Sequence, residues 1–224
     1  VLEYPQIDNE KKYNEPLNVK IMFWLPPDSP YGNLQLKLMD IIQRIDIVNE
    51  KIIDTYDVWN IIINPQGFAS NALNKHHSLN KHHSLNEEII YHIRRIGDDL
   101  ISLVYVLNYF DINRKYPDKI KIDCIGLYLG NKDKLPMLRD GVEVLECLNN
   151  ISNAYKHSFM NSDINAVIGK LEPCVSSLYL PNNNLLYEFI FSNVSLKTQI
   201  VIPFNIFYKN AIYWLKEFSK NNLN

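Results

Sequence analysis

The sequence is short of cysteine and glycine, carries almost no net charge and has no long apolar run, and each shortage excludes something. Its three cysteines, Cys124, Cys147 and Cys174, are odd in number and widely separated. That spacing gives neither a disulfide framework nor paired zinc ligands, and it leads us to expect a reducing, cytoplasmic setting. No stretch of about 18 consecutive apolar residues occurs, so no membrane span is expected. The opening Val1-Leu2-Glu3-Tyr4-Pro5 has no basic region followed by an apolar run, so no secretory leader is expected. A formal net charge of -2 provides no global positive field for nucleic acid. Gly126, Gly130, Gly141 and Gly169 stand alone, without a Gly-rich phosphate loop, a Gly-x-Ser-x-Gly elbow or a His-Glu-x-x-His helix. No cofactor and no metal is expected.

Hydrophobic residues make up 46% of the chain and charged residues 21%, the mixture of a folded protein. With 224 residues it can bury one generous core, and residues 1–224 read as a single helical domain. Residues 18–25 alternate through Val19, Ile21, Phe23 and Leu25, which predicts a short strand or an extended lead-in. Asp28-Ser29-Pro30 then has the form of a helix start. Leu34, Leu38, Ile41, Ile42, Ile45, Val48 and Ile52 follow at helical spacing, in a run that either breaks near Asp54-Thr55 or forms one long bundle member.

Leu73-Asn74-Lys75-His76-His77-Ser78 is repeated as Leu79-Asn80-Lys81-His82-His83-Ser84 and then diverges. Two copies are too few for a solenoid. A metal-binding or pH-sensitive patch is one reading. The expected one is a tandem duplication carried in a surface connection, because histidines six residues apart do not share a helical face.

Ser84 and Glu87 have the form of a capping box, predicting a helix from there onward. Ile89, Ile93, Ile96, Leu100, Val104 and Leu107 supply its core stripe. Beside the stripe, Glu88, His92, Arg95 and Asp99 follow at intervals of four, three and four, forming a polar ridge. Residues 119–124 alternate enough for a short strand. Beyond Leu135-Pro136 a second amphipathic pattern carries Leu138, Leu145, Leu148 and Ile151, flanked by the ridge Glu146, Asn150, Asn153 and His157. The stretch 149–159 places a histidine, a lysine and several amides beside an apolar stripe.

The last part changes character. Runs at 174–180, 185–193 and 196–202, divided by Pro181-Asn182-Asn183-Asn184 and Asn193-Val194-Ser195, predict a small antiparallel hairpin or meander. It has too few apolar residues for its own core, so 170–202 is expected to be a β-rich insertion packed on the bundle. After Pro203, the residues Phe204, Phe207, Ala211, Trp214, Leu215 and Phe218 predict a closing helix. The predicted fold class is mainly α, a helical bundle with a small β element before the last helix.

The polar-faced stretch ending in Asn153-Ala154-Tyr155-Lys156-His157, on this architecture, resembles the higher-eukaryote-and-prokaryote nucleotide-binding superfamily of helical bundles. The resemblance covers residues 85–159 and the last helix. It implies a bacterial-type protein, and catalytic members are ribonucleases that place an arginine, a polar residue and a histidine on one helix, usually paired across a dimer. Here His157 and Asn153 hold two of those places. The arginine is missing, since Arg139 stands about 27 Å before His157 along a helix axis.

Two functions follow. A soluble, noncatalytic binding or regulatory module would use a groove walled by Glu88, His92, Arg95, Asp99, Asn150, Asn153 and His157, with self-association or a protein partner. A metal-independent endoribonuclease of a toxin or defence system would use His157 as general acid or base, with Arg95 and Lys156 neutralising a phosphate on RNA.

Overall fold

The computed structural model describes residues 4–10, 23–63, 72–157 and 170–222. Among these residues five helices, α1 (Leu34–Ile63), α2 (Ala72–Asn113), the short α3 (Ile125–Leu129), α4 (Val142–His157) and α5 (Ile202–Asn222), form a bundle. One antiparallel hairpin, β1 (Cys174–Tyr179) and β2 (Ile190–Ser195), precedes α5. The mainly helical class and the position of the β element are as the periodicities predict. Among the described residues no helix is long and apolar enough to cross a membrane.

α1 is unbroken. Thr55, buried in its middle, donates its hydroxyl to the Lys51 carbonyl at 2.8 Å, so a polar side chain sits in the core without leaving a donor unsatisfied. The helix begins four residues after the expected Pro30. Ser29 and Gly32 close a turn (Gly32 N–H to Ser29 C=O, 2.9 Å), Gly32 has φ +91, and Asn33 caps the helix by accepting from Leu36 N–H at 2.9 Å. The strand expected at 18–25 lies mostly outside the described residues, and Phe23–Leu25 carry no strand.

α2, 42 residues and about 63 Å long, is the spine of the bundle. Its Ile89, Ile93, Ile96 and Leu100 meet Leu38, Ile41, Ile45 and Val48 of α1, all fully buried. The helix does not start at Ser84. It already runs through the histidine repeat, so that duplication is helix and not a surface connection. Nor is there a strand at 119–124: α2 is beside it, not a strand edge, and Ser102 Oγ donates to the Asp123 carbonyl at 3.1 Å. Asp98 Oδ1 then accepts from Ile125 N–H at 2.7 Å, fixing the start of α3.

The hairpin stays on the bundle through β1, whose Cys174, Val175, Ser176 and Ser177 are buried and which packs on α4. A third strand does not follow. Residues Leu196–Val201 form a π-helical turn into α5, because Ser195 Oγ accepts from Thr198 N–H at 3.0 Å and Gln199 Oε1 accepts from Ser195 N–H at 2.8 Å. These reciprocal caps end the ladder. Phe204, Phe207, Tyr208 and Phe218 of α5 then seal the core, while Trp214 is half-buried and Tyr213 exposed.

Candidate functional site

The expected groove needs the ridge of α2 to face the ridge of α4. It faces α1 instead. Glu88 pairs with Lys51, His92 Nδ1 lies 3.5 Å from Arg44 Nη1, and Asp99 is held between Lys37 Nζ at 2.9 Å and Arg95 Nε at 3.3 Å. Asp99 is only 6% exposed, so these two cations neutralise a nearly buried carboxylate. Burial lowers the His92 pKa, helped by the Arg44 and Lys51 charges and opposed by Glu88. The ridge is consumed in the α1–α2 seam. A cavity of 350 Å³ opens beside its Asp99 end, lined by Tyr31, Lys37, Asp40, Ser102, Val106 and Ile120 among others.

On α4, Glu146 pairs with Lys132 at 2.7 Å and Asn150 is exposed. Lys156 and His157 are exposed on the last turn, and the His157 carbonyl accepts from Asn183 Nδ2 at 2.7 Å. Asn153 does reach α2, but its partner is Arg94, whose Nη1 donates to Asn153 Oδ1 at 3.1 Å and to Ser152 Oγ at 2.5 Å. Arg95 and His157 are therefore not brought together, and Arg94 is the arginine at α4. Ser158 and Phe159, which close the stretch 149–159, lie outside the described residues.

A second ridge, one residue earlier on α2, faces α4: Glu87, Tyr91, Arg94 and Asp98, again at intervals of four, three and four. Glu87 Oε1 lies 3.4 Å from His83 Nε2, and the His83 and Tyr155 rings meet edge-on with centroids 5.7 Å apart. Tyr155 donates its hydroxyl to the Ser176 carbonyl at 3.0 Å, tying α4 to β1. A small cavity of 180 Å³ is lined by Glu87, Ile90, Tyr91, Ser152, Tyr155 and Lys156. Burial raises the Asp98 pKa, while the Ile125 N–H and the Arg94 and Arg95 charges pull it back. Both seams use the same spacing on one helix, and the spacing alone does not say which neighbour each ridge meets.

The chain matches no protein-family model. Neither a curated protein nor a solved structure matches it. Among the described residues no group of three or more His, Cys, Asp or Glu side chains is placed to hold a metal ion.

Arg94 and Arg95 should differ sharply on substitution. The Arg94 side chain is 15% exposed and serves two acceptors on α4, so Arg94→Ala leaves Ser152 and Asn153 short of a donor and is expected to cost about 1–3 kcal/mol. Arg95 is half exposed and pairs with a carboxylate that keeps Lys37, so Arg95→Ala should cost about 0–1 kcal/mol. Urea unfolding of both variants measures the difference. Equal losses would refute the assignment of Arg94 as the α2–α4 tie.

Two further features escape the helical ridges. His82, the first histidine of the repeat's later copy, is 2% exposed and packs on Trp59 with ring centroids 5.2 Å apart. At the tip of the hairpin, Leu185, Leu186, Tyr187, Phe189, Ile190 and Phe191 are all exposed, from 45% for Phe189 to 91% for Leu186. The signal for this arm was in the sequence: residues 173–196 contain one charged residue, Glu188.

Proposed function

We propose that the chain is a noncatalytic binding or regulatory module whose contact surface is the apolar arm of the hairpin, engaging a protein partner or a second copy. The observation that carries this reading is the arm itself, six large apolar side chains in solvent around a single charge. A contiguous apolar surface of that kind marks an interaction site. Support also comes from the two α2 ridges, whose arginines are spent on intramolecular partners, Arg95 on Asp99 and Arg94 on Ser152 and Asn153.

One observation favours a second reading, a metal-independent endoribonuclease. Lys156 and His157 are exposed on the last turn of α4, and Asn153 one turn earlier holds the Arg94 guanidinium. In that reading His157 shuttles the proton while Lys156 and Arg94, in place of Arg95, neutralise the phosphate.

Cleavage of an end-labelled single-stranded RNA without added metal separates the two. Wild type, His157→Ala and Arg94→Ala, each checked for folding, are expected to leave the RNA at the protein-free background. Cleavage by the wild type that disappears in His157→Ala would move the conclusion to the ribonuclease.

A further inference from the structure

We propose that the arm binds the arm of a second copy of this chain, edge to edge about a two-fold axis, so that two hairpins become one four-stranded antiparallel sheet. This rests on the binding reading above and names the partner. Cys174 to Ser177 lie in the core, Leu178 and Tyr179 are half-buried and Leu180 is buried again, whereas residues 183–191 are all exposed. The tip therefore projects beyond the helices that cover its base.

The ladder shows which backbone groups face outward at that tip. Leu196 N–H donates to the Pro173 carbonyl at 3.0 Å, and β1 and β2 pair Cys174 with Ser195 through Tyr179 with Ile190. In an antiparallel pair the bonded residues alternate. Val194, Ser192 and Ile190 therefore bond to β1, while the N–H and C=O of Phe191 point away from it. Ser195 has the same phase as Phe191, and its N–H is indeed turned outward to Gln199 Oε1. Among the described residues the edge at Phe191 carries neither of two common protections, since no lysine and no proline stands at 189–195.

Outward groups on alternate residues allow only registers that set one such residue against another. The register that uses the exposed tip pairs Phe189 with Phe191 of the second copy, twice, and centres Ile190 on its own counterpart. Phenylalanines then face each other on one side of the sheet and isoleucines on the other. The two Glu188 carboxylates fall about 13 Å apart along the strands, beyond the screening length of about 10 Å at 0.1 M salt, so the one charge in the arm does not oppose the pairing.

Six side chains at these exposures present on the order of 700 Å² per copy, the ceiling on what the pairing can bury and below the roughly 800 Å² per partner of a standard interface, so a concentration-dependent dimer is expected. A two-fold axis also matches each edge to one of identical alternation and charge, a complement that the chain supplies at its own concentration.

Light scattering on the full chain from 1 to 100 µM tests this. The expected mass is about twice 26.3 kDa at the upper concentrations. Phe191→Lys, which puts a charge on a half-exposed edge position and should leave the fold intact by circular dichroism, is expected to raise the dimer Kd at least tenfold. Tyr213→Lys, at a more exposed aromatic position on α5, is expected to leave it unchanged. Amide exchange at Phe191 should slow at least tenfold between the lowest and highest concentrations. A monomer at 100 µM, a dimer sensitive to Tyr213→Lys and not to Phe191→Lys, or exchange at Phe191 independent of concentration would overturn the proposal. The RNA assay reads the noncatalytic assignment separately, so either idea can fail while the other stands.

Discussion

Between pH 6.5 and 4 the protein is expected to lose about 3 kcal/mol of stability through one buried histidine, His82. Burial pushes its pKa down to about 4, with the neighbouring His83 adding to the effect. Asn86 Nδ2 lies 3.3 Å from His82 Nδ1 and also donates to the Cys174 carbonyl at 3.0 Å, while His82 Nε2 has no hydrogen-bond partner. An imidazolium there would bury a charge and an N–H without an acceptor. The folded pKa lies below the unfolded value of about 6.5, so the unfolded chain takes up the proton first. The contribution is therefore complete above pH 6.5, reduced by about 1.4 kcal/mol at pH 5.5, and lost as the pH falls to the folded pKa. Urea unfolding of wild type and His82→Leu at pH 7, 5.5 and 4.5 measures it, since carboxylates titrate alike in both proteins. Parallel pH profiles would show that His82 is not the group responsible.

Gly141→Ala is expected to destabilise the fold by about 3 kcal/mol, the upper end of overpacking costs. Gly141 is the last residue of a 3₁₀ segment, Pro136–Gly141, that leads into α4 beneath α5. A Cβ there would lie 2.4 Å from Phe207 Cδ2 and 2.8 Å from Phe207 Cβ. Phe207 is fully buried beside Phe204, with ring centroids 5.5 Å apart, so its ring has no open side to move into. Because the clash reaches Phe207 Cβ, α5 itself must shift. Gly126→Ala is the control: its added Cβ would meet only Asn149 Oδ1, at 3.7 Å, and little change is expected. Similar unfolding midpoints for the two alanine variants would refute this account of the α4–α5 contact.

Periodicity made the bundle legible because a stripe such as Ile89, Ile93, Ile96 and Leu100 has one use, burial against another helix. It made the site less legible. Two polar ridges one residue apart on α2 are rotated by about 100°, and which of them meets α4 depends on how three helices pack. Hence Arg95 was expected where Arg94 stands. The run after Ser195 alternates well enough for a strand, but local caps from Ser195 and Gln199 decided in favour of a helical turn. Residues 119–124 failed as a strand for want of a neighbouring edge, which no local pattern reveals. The apolar arm was readable as a strand from its own residues, but its exposure was not.

The duplicated hexapeptide shows how little a residue's identity settles by itself. Each six-residue step along a helix turns the copy by about 240° and advances it about 9 Å. Two identical words are thus read in different places: His76 and His77 are exposed, while His82 is shut against Trp59 and His83 lies half-buried at Tyr155. Because the copies are identical, adding or removing one would lengthen or shorten α2 upstream like a screw thread, while the same hexapeptide stays next to Leu85 and keeps its histidine against Trp59. Acid sensitivity would then be independent of repeat number, and slippage would change only how far α2 extends beyond the core.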